Sequence, residues 1–215
     1  TTLYTMFNES FFINPRKEQW VSDALVNYLM IRYVETYYPD TKLLGKLADF
    51  KLLKGFYASQ IKFNDKYALL YNYSARKNLN QALLTSNDSL IKFNNQIANK
   101  YKAGLGLSYL SEYLGDYSLD KCIEEFYNTY NKSEISGELF REVLENFTDK
   151  DISWFFEEYI YTNNKINFKI DRVRSKSDST EIRISSNKNN KLPISLFGLK
   201  QDSVVFKKWI NPQQL

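Results

Sequence analysis

The side chains that could carry out nucleophilic or metal chemistry are few in this chain. Its 215 residues include no histidine and one cysteine, Cys122. A catalytic zinc ion needs three protein ligands, and imidazole nitrogen or thiolate sulfur usually supplies most of them. Serine and cysteine nucleophiles depend on an adjacent base that is most often histidine. The composition therefore disfavours both zinc-dependent hydrolysis and histidine-assisted nucleophilic catalysis.

Carboxylates and glycines do not supply an alternative chemistry. Glu124 with Glu125, and Glu157 with Glu158, are consecutive on predicted helices, so their side chains diverge by about 100°. A glycosidase needs two carboxylates that face one substrate bond. The seven glycines form neither G-x-G-x-x-G nor a Walker loop, which are the usual phosphate-binding turns. The sequence predicts neither a glycosidase nor a nucleotide site.

Two short segments nevertheless have the residue types and order of a known peptidase site. Residues 20–28 are Trp-Val-Ser-Asp-Ala-Leu-Val-Asn-Tyr, and residues 101–104 are Tyr-Lys-Ala-Gly. They resemble the W-L-x-E-G-x-A-x-Y and Y-x-K-G motifs of the gluzincin zinc aminopeptidases, the family of aminopeptidase N and leukotriene A4 hydrolase. The resemblance implies that Asp23 occupies the third zinc-ligand position and that Tyr101 occupies the position of the tyrosine that stabilises the transition state. A weaker likeness continues to about residue 164.

The same resemblance implies where the remaining catalytic residues should lie, and there the sequence departs from the family. The second histidine of H-E-x-x-H corresponds to Tyr4, the catalytic glutamate corresponds to Thr1, and the motif lysine is Ala103. Asp23 is one methylene shorter than glutamate, and the hydroxyl of a threonine is too weakly basic to take a proton from water near neutral pH. We therefore expect no bound metal, no other cofactor and no peptidase activity.

The resulting hypothesis is a non-catalytic, aminopeptidase-like module that binds or scaffolds. A peptide or protein partner would bind in the ancestral cleft at Asp23, Tyr101, Gly104 and Trp20. Two alternatives stay open. The chain could be part of an active zinc metallo-aminopeptidase whose site is completed by residues outside it, or it could be a helical interaction domain of a larger assembly.

The elements that would position these residues follow from hydrophobic periodicity. The pattern predicts a long amphipathic helix over 17–37, ended by Pro39, and further helices over 97–113, 119–130, 137–147 and 152–161. It also predicts a helix from Asp40 that buries Leu43, Leu44, Leu47 and Phe50, a looser stretch over 64–95, and an N-cap at Ser136. After residue 165 the period changes to two, which indicates four short strands.

These elements predict a mainly α protein with a boundary after residue 164. The resemblance implies that residues 1–164 form the C-terminal helical subdomain of a thermolysin-like aminopeptidase, and the strands of 165–215 predict a small, incomplete β-sandwich.

Residues 165–208 hold 11 lysines and arginines against four acids. Because these cations alternate with apolar residues and lack an aromatic stacking motif, the pattern disfavours nucleic-acid binding.

Location is constrained only weakly by the sequence. No run of 18 apolar residues occurs, so we expect no transmembrane segment in this chain. The abundance of Asn, Lys and Tyr is typical of an AT-rich bacterial genome. A cell-envelope or periplasmic location would require an export signal upstream of Thr1.

Overall fold

The chain forms two compact units, Thr1–Ile152 and Ser153–Leu215. The computed structural model describes residues 2–52, 56–115, 117–177, 179–186, 191–201 and 203–211, and the side chains of residues 2–4 and 8 are not among those described. About half of the chain is helical, and its sheets are small. The boundary that composition predicts after residue 164 stays a prediction.

The first unit is built from six α-helices and one short parallel strand pair in its described part. The helices are α1 (Thr2–Ser10), α2 (Gln19–Tyr37), α3 (Asp65–Arg76), α4 (Asn99–Leu114), α5 (Ser118–Tyr130) and α6 (Gly137–Phe147). Strand β1 (Phe11–Ile13) pairs in parallel with β2 (Ser133–Ile135). The sequence analysis did not predict this strand pair, which fixes the chain between α1 and α2 beside the turn that precedes α6.

Helix α2 is the central element of this unit. Every residue from Trp20 to Val26 is buried, so the N-terminal half of the helix is surrounded rather than buried along a single stripe. It packs lengthwise against α4. The helices approach closely at Gly104, where an added Cβ would lie 2.5 Å from the Cβ of Asn27. The predicted helix over 17–37 is confirmed to within two residues.

A hydrogen-bonded network joins α2 to α4 and α5. The hydroxyl of Tyr28, which is fully buried, bonds to Ser111 and to the carboxylate of Asp120. The guanidinium of Arg32 lies 2.8 Å from the same carboxylate. The phenol is neutral and the Asp120 carboxylate is partly exposed, so the network satisfies the polar atoms without burying an unpaired charge.

Two local predictions for this unit need correction, and one is confirmed. The helix predicted from Asp40 is wrong: the chain forms a short 3-10 turn, Gly45–Asp49, because Gly45 has a φ of +52° that interrupts an α-helix. Leu43, Leu47 and Phe50 are exposed there rather than buried. The predicted N-cap is confirmed, since the Ser136 hydroxyl accepts a hydrogen bond from the Leu139 N–H at 3.1 Å.

The stretch over 64–95 contains a helix that its polar composition hid. Helix α3 begins where the Asp65 carboxylate accepts a hydrogen bond from the backbone N–H of Lys62. Asp65 lies in the first turn of this helix and Arg76 in the last, which complements the helix dipole.

The second unit contains two antiparallel hairpins. Strand β3 (Phe168–Ser175) pairs with β4 (Thr180–Ser186), and β5 (Ile194–Lys200) pairs with β6 (Ser203–Ile210). Both ladders contain a register shift, one between Ile170 and Arg172 and the other between Gly198 and Leu199. The four predicted strands are confirmed. The last predicted helix, over 152–161, contains a π-helical segment, Phe155–Ile160.

A cavity of about 690 Å³ opens between the hairpins of this unit. Apolar side chains of β4, β5 and β6 line it, among them Ile182, Leu196, Phe206 and Ile210.

Within the described residues, no helix is both long enough and apolar enough to cross a membrane.

Candidate functional site

Asp23 lies in the α2–α4 interface, where it forms an ion pair across the two helices. Its carboxylate is held inside unit 1, and the residue is only 6% exposed. The Nζ of Lys100, in α4, lies 3.6 Å from Oδ1 of Asp23. One turn before Asp23 in α2, the amide of Gln19 donates a hydrogen bond to the same oxygen at 3.4 Å. A cation and an amide donor therefore already interact with this carboxylate.

The electrostatic balance at Asp23 is dominated by burial. Removal from water raises the pKa of this carboxyl, and the Lys100 ammonium and the Gln19 amide lower it by less. The folded state thus favours the neutral acid more than water does. The Lys100 ammonium offsets part of the cost of ionising Asp23. The charge state of Asp23 therefore depends on its contact with Lys100.

Tyr101 follows Lys100 directly and is half-buried. Its ring packs on Tyr67 of α3, with 4.6 Å between the ring centroids. Burial raises the pKa of Tyr101, so the phenol stays protonated and able to donate a hydrogen bond near neutral pH. The structure therefore joins the two motifs through adjacent residues, since Lys100 contacts Asp23 and Tyr101 is its neighbour in sequence.

Gly104 and Trp20 have packing roles in the structure. Gly104 allows the backbone of α4 to approach Asn27. The Trp20 indole is buried against α6, with its ring centroid 6.2 Å from that of Phe140 and its edge beside Gly137. Its Nε1 is buried without a hydrogen-bond partner. Trp20 thus contacts a different helix from Asp23, although Asp23 lies only three positions further along α2.

A zinc ion bound at Asp23 would lie close to the ammonium of Lys100. A zinc ion bound by a carboxylate lies about 2 Å from its oxygen, and an ammonium 3.6 Å from that oxygen would repel a second cation. Among the described residues, no three His, Cys, Asp or Glu side chains converge on one point. Thr1 and the Tyr4 side chain lie outside the described residues.

Sequence analysis missed Lys100 and Lys102 of α4. Lys102 is almost fully buried, and desolvation lowers the pKa of its ammonium to about 7. The signal for both was a Lys-x-Lys sequence next to the apolar run of residues 103–107 in the same helix, where the two lysines point in different directions around the helix axis. Which lysine would pair with Asp23 depends on how α2 and α4 dock.

Comparison of the chain with protein-family models, with curated proteins and with solved structures finds no match.

Proposed function

We propose that this chain is a non-catalytic, aminopeptidase-like module that binds a peptide or protein partner or acts as a scaffold. The observation that carries the proposal is the ion pair between the buried Asp23 carboxylate and the partly exposed Lys100 ammonium. If Asp23 occupies the third zinc-ligand position, as the sequence motif implies, then the protein's own ammonium has replaced the metal as the partner of that carboxylate.

This replacement has a plain electrostatic reason. A carboxylate left alone in a buried site costs several kcal/mol or becomes protonated. A lysine that reaches across from α4 supplies a compensating charge for the Asp23 carboxylate. The pair thus preserves the packing of a metal site without its chemistry.

The proposal includes the fold that the motifs imply. The packing of α2 on α4 around Asp23 supports a thermolysin-like helical subdomain, and the cavity between the hairpins supports a small β-sandwich with an open side. Tyr101 supplies the binding chemistry, because a protonated phenol can donate a hydrogen bond to a peptide carbonyl. Gly104 and Trp20 would support the cleft through packing rather than through contact with the ligand.

Metal analysis of the purified protein, combined with an aminoacyl-coumarin assay, tests the non-catalytic proposal. We expect a zinc content far below one ion per chain and no turnover when zinc is added. Near-stoichiometric zinc together with turnover, both lost in Asp23→Ala, would favour the rival hypothesis of an active metallo-aminopeptidase.

A peptide-binding assay separates a working cleft from a scaffold without one. Tyr101→Phe removes only the hydroxyl, and Asp23→Asn keeps the shape of the side chain. Both should weaken peptide binding, whereas Tyr73→Phe on the exposed side of α3 should leave it unchanged. If both site variants bind every tested peptide with wild-type affinity, the helical interaction domain becomes the better description.

A further inference from the structure

A small lobe, defined as residues 42–62, lies between α2 and α3 in unit 1. Its ends are clamped by backbone pairing: Lys42 and Lys62 are bridge partners, and the Leu43 N–H donates to the Ile61 carbonyl at 2.9 Å. Two 3-10 turns, Gly45–Asp49 and Tyr57–Ser59, lie between the clamped ends and contact each other. A loop with joined ends that packs on itself is a common carrier of function.

The lobe displays an unusual number of large apolar side chains to solvent. Their exposure runs from 59% to 79%, and we call these side chains together the apolar surface: Leu47, Phe50, Leu52, Phe56 and Tyr57. Single exposed apolar residues are ordinary, but several within one short lobe mark a surface that is covered by something else.

The charge around the apolar surface is positive. The described residues of the lobe include Lys42, Lys46, Lys51 and Lys62, against one acid, Asp49. Lys62 also pairs with Asp40 at 3.3 Å, just outside the clamp. Lys46 and Lys51 are exposed and lie next to apolar residues in the sequence. The surface therefore suits a partner that is apolar and negatively charged at once.

The way in which lysine and apolar residues are mixed favours a lipid surface over a protein. In protein interfaces the apolar centre is depleted of lysine, because each ammonium would have to be desolvated. At a bilayer, apolar and aromatic side chains enter the boundary between headgroups and acyl chains, while adjacent lysines extend toward anionic headgroups. We propose that the apolar surface of this lobe docks on a bilayer that contains anionic lipids.

Co-sedimentation with vesicles tests this proposal, which does not depend on the proposed function. The full chain should pellet with vesicles of phosphatidylcholine and phosphatidylglycerol on the order of tenfold more than with phosphatidylcholine alone, since each lysine near the surface adds attraction. The double variant Phe50→Ser/Leu52→Ser should lose binding. Lys46→Glu/Lys51→Glu should lose the preference for anionic vesicles.

The second unit offers a matched control. Leu199→Ser/Val205→Ser removes two side chains of similar exposure from the hairpins and should leave vesicle binding unchanged. Circular dichroism of each variant checks that it is folded.

Three results would overturn the proposal. One is wild-type protein that stays in the supernatant with anionic vesicles, which would exclude a bilayer as the occupant of the surface. Another is vesicle binding that neither lobe variant alters. The third is a dimer, without lipid, that the Phe50→Ser/Leu52→Ser change converts to a monomer, which would assign the surface to a second copy of the chain.

Discussion

The ionised Asp23 carboxylate lowers the stability of the folded protein. Burial raises its pKa, so its ionised form is less stable in the folded chain than in water. A group whose folded pKa is raised contributes stability at low pH, and that contribution is lost as pH rises through the folded pKa. The carboxylate therefore lowers stability near neutral pH, and Lys100 recovers part of the loss.

Replacing Asp23 with asparagine should therefore not destabilise the protein at pH 7. We expect Asp23→Asn to range from unchanged to about 1 kcal/mol more stable, because the amide removes a buried charge while Lys100 stays partly exposed to water. Urea unfolding at pH 7 and near pH 4 measures this, and the difference from wild type should shrink at the lower pH. A variant that is strongly destabilised at pH 7 would show that the ion pair is a net stabiliser.

The contribution of Lys102 to stability depends on pH in the opposite direction from that of Asp23. Its pKa of about 7 lies below the ordinary value of 10.5, so the unfolded chain binds this proton more tightly. The stability that the neutral Lys102 amine contributes is fully present above about pH 10.5 and is lost as the pH falls through the folded pKa of about 7. Lys102→Met should therefore raise the free energy of unfolding at pH 7 by about 1–3 kcal/mol and flatten the rise in stability between pH 7 and 10.5.

The exposed Lys121 of α5 supplies the control for this experiment. Lys121→Met removes the same charge without changing the interior, so the pH dependence of its unfolding should match that of wild type. If Lys102→Met shows the wild-type pH dependence as well, desolvation of Lys102 does not govern stability in this range.

The close approach of α4 to Asn27 of α2 requires a residue without a side chain at position 104. Gly104→Ala would place a Cβ 2.5 Å from the Cβ of Asn27, a distance that forces the helices apart. The gain in helix propensity is about 1 kcal/mol, whereas overpacking a tight interface typically costs about 1–3 kcal/mol. We expect a net loss of stability and a weaker Asp23–Lys100 contact.

Thermal unfolding followed by circular dichroism measures this effect. Ser108→Ala, one turn further along α4, is the control, because it removes only a hydroxyl that bonds to the Gly104 carbonyl. A Gly104→Ala variant at least as stable as wild type would mean that α2 and α4 can separate at no cost, which would weaken the case for a rigid site.

Elements with strong local signals were predictable, and contacts between elements were not. Helices α2 and α6 follow from apolar periodicity, with Pro39 after the first and the Ser136 cap before the second. The lobe was assigned to a helix because its leucines have helical spacing, but the positive φ of Gly45 and the clamp at Lys42 and Lys62 override that pattern.

The candidate site likewise contains residues that the sequence predicted and residues that only the packing of the helices revealed. Asp23 and Tyr101 came from motifs within single helices, so the sequence was enough to propose them. Lys100 became part of the site only through the docking of α4 on α2, which no local pattern encodes. The packing roles of Trp20 and Gly104 likewise depend on neighbours far away in the sequence.

Across the molecule, Cys122 reports whether unit 1 opens. The thiol is 1% exposed in α5, and burial raises its pKa to about 12. Because the thiolate is the reactive form, a disulfide reagent at pH 8 should label native protein far more slowly than protein in urea. Rapid labelling without urea would show that the core around α5 opens locally.

The pairing of Asp23 with Lys100 is the central claim, and crystals grown with zinc chloride test it most directly. Anomalous diffraction recorded at the zinc absorption edge locates every bound zinc ion. The account predicts no anomalous peak within bonding distance of Asp23, with the Lys100 ammonium still beside the carboxylate. A zinc peak bonded to Asp23, with Lys100 displaced, would contradict it.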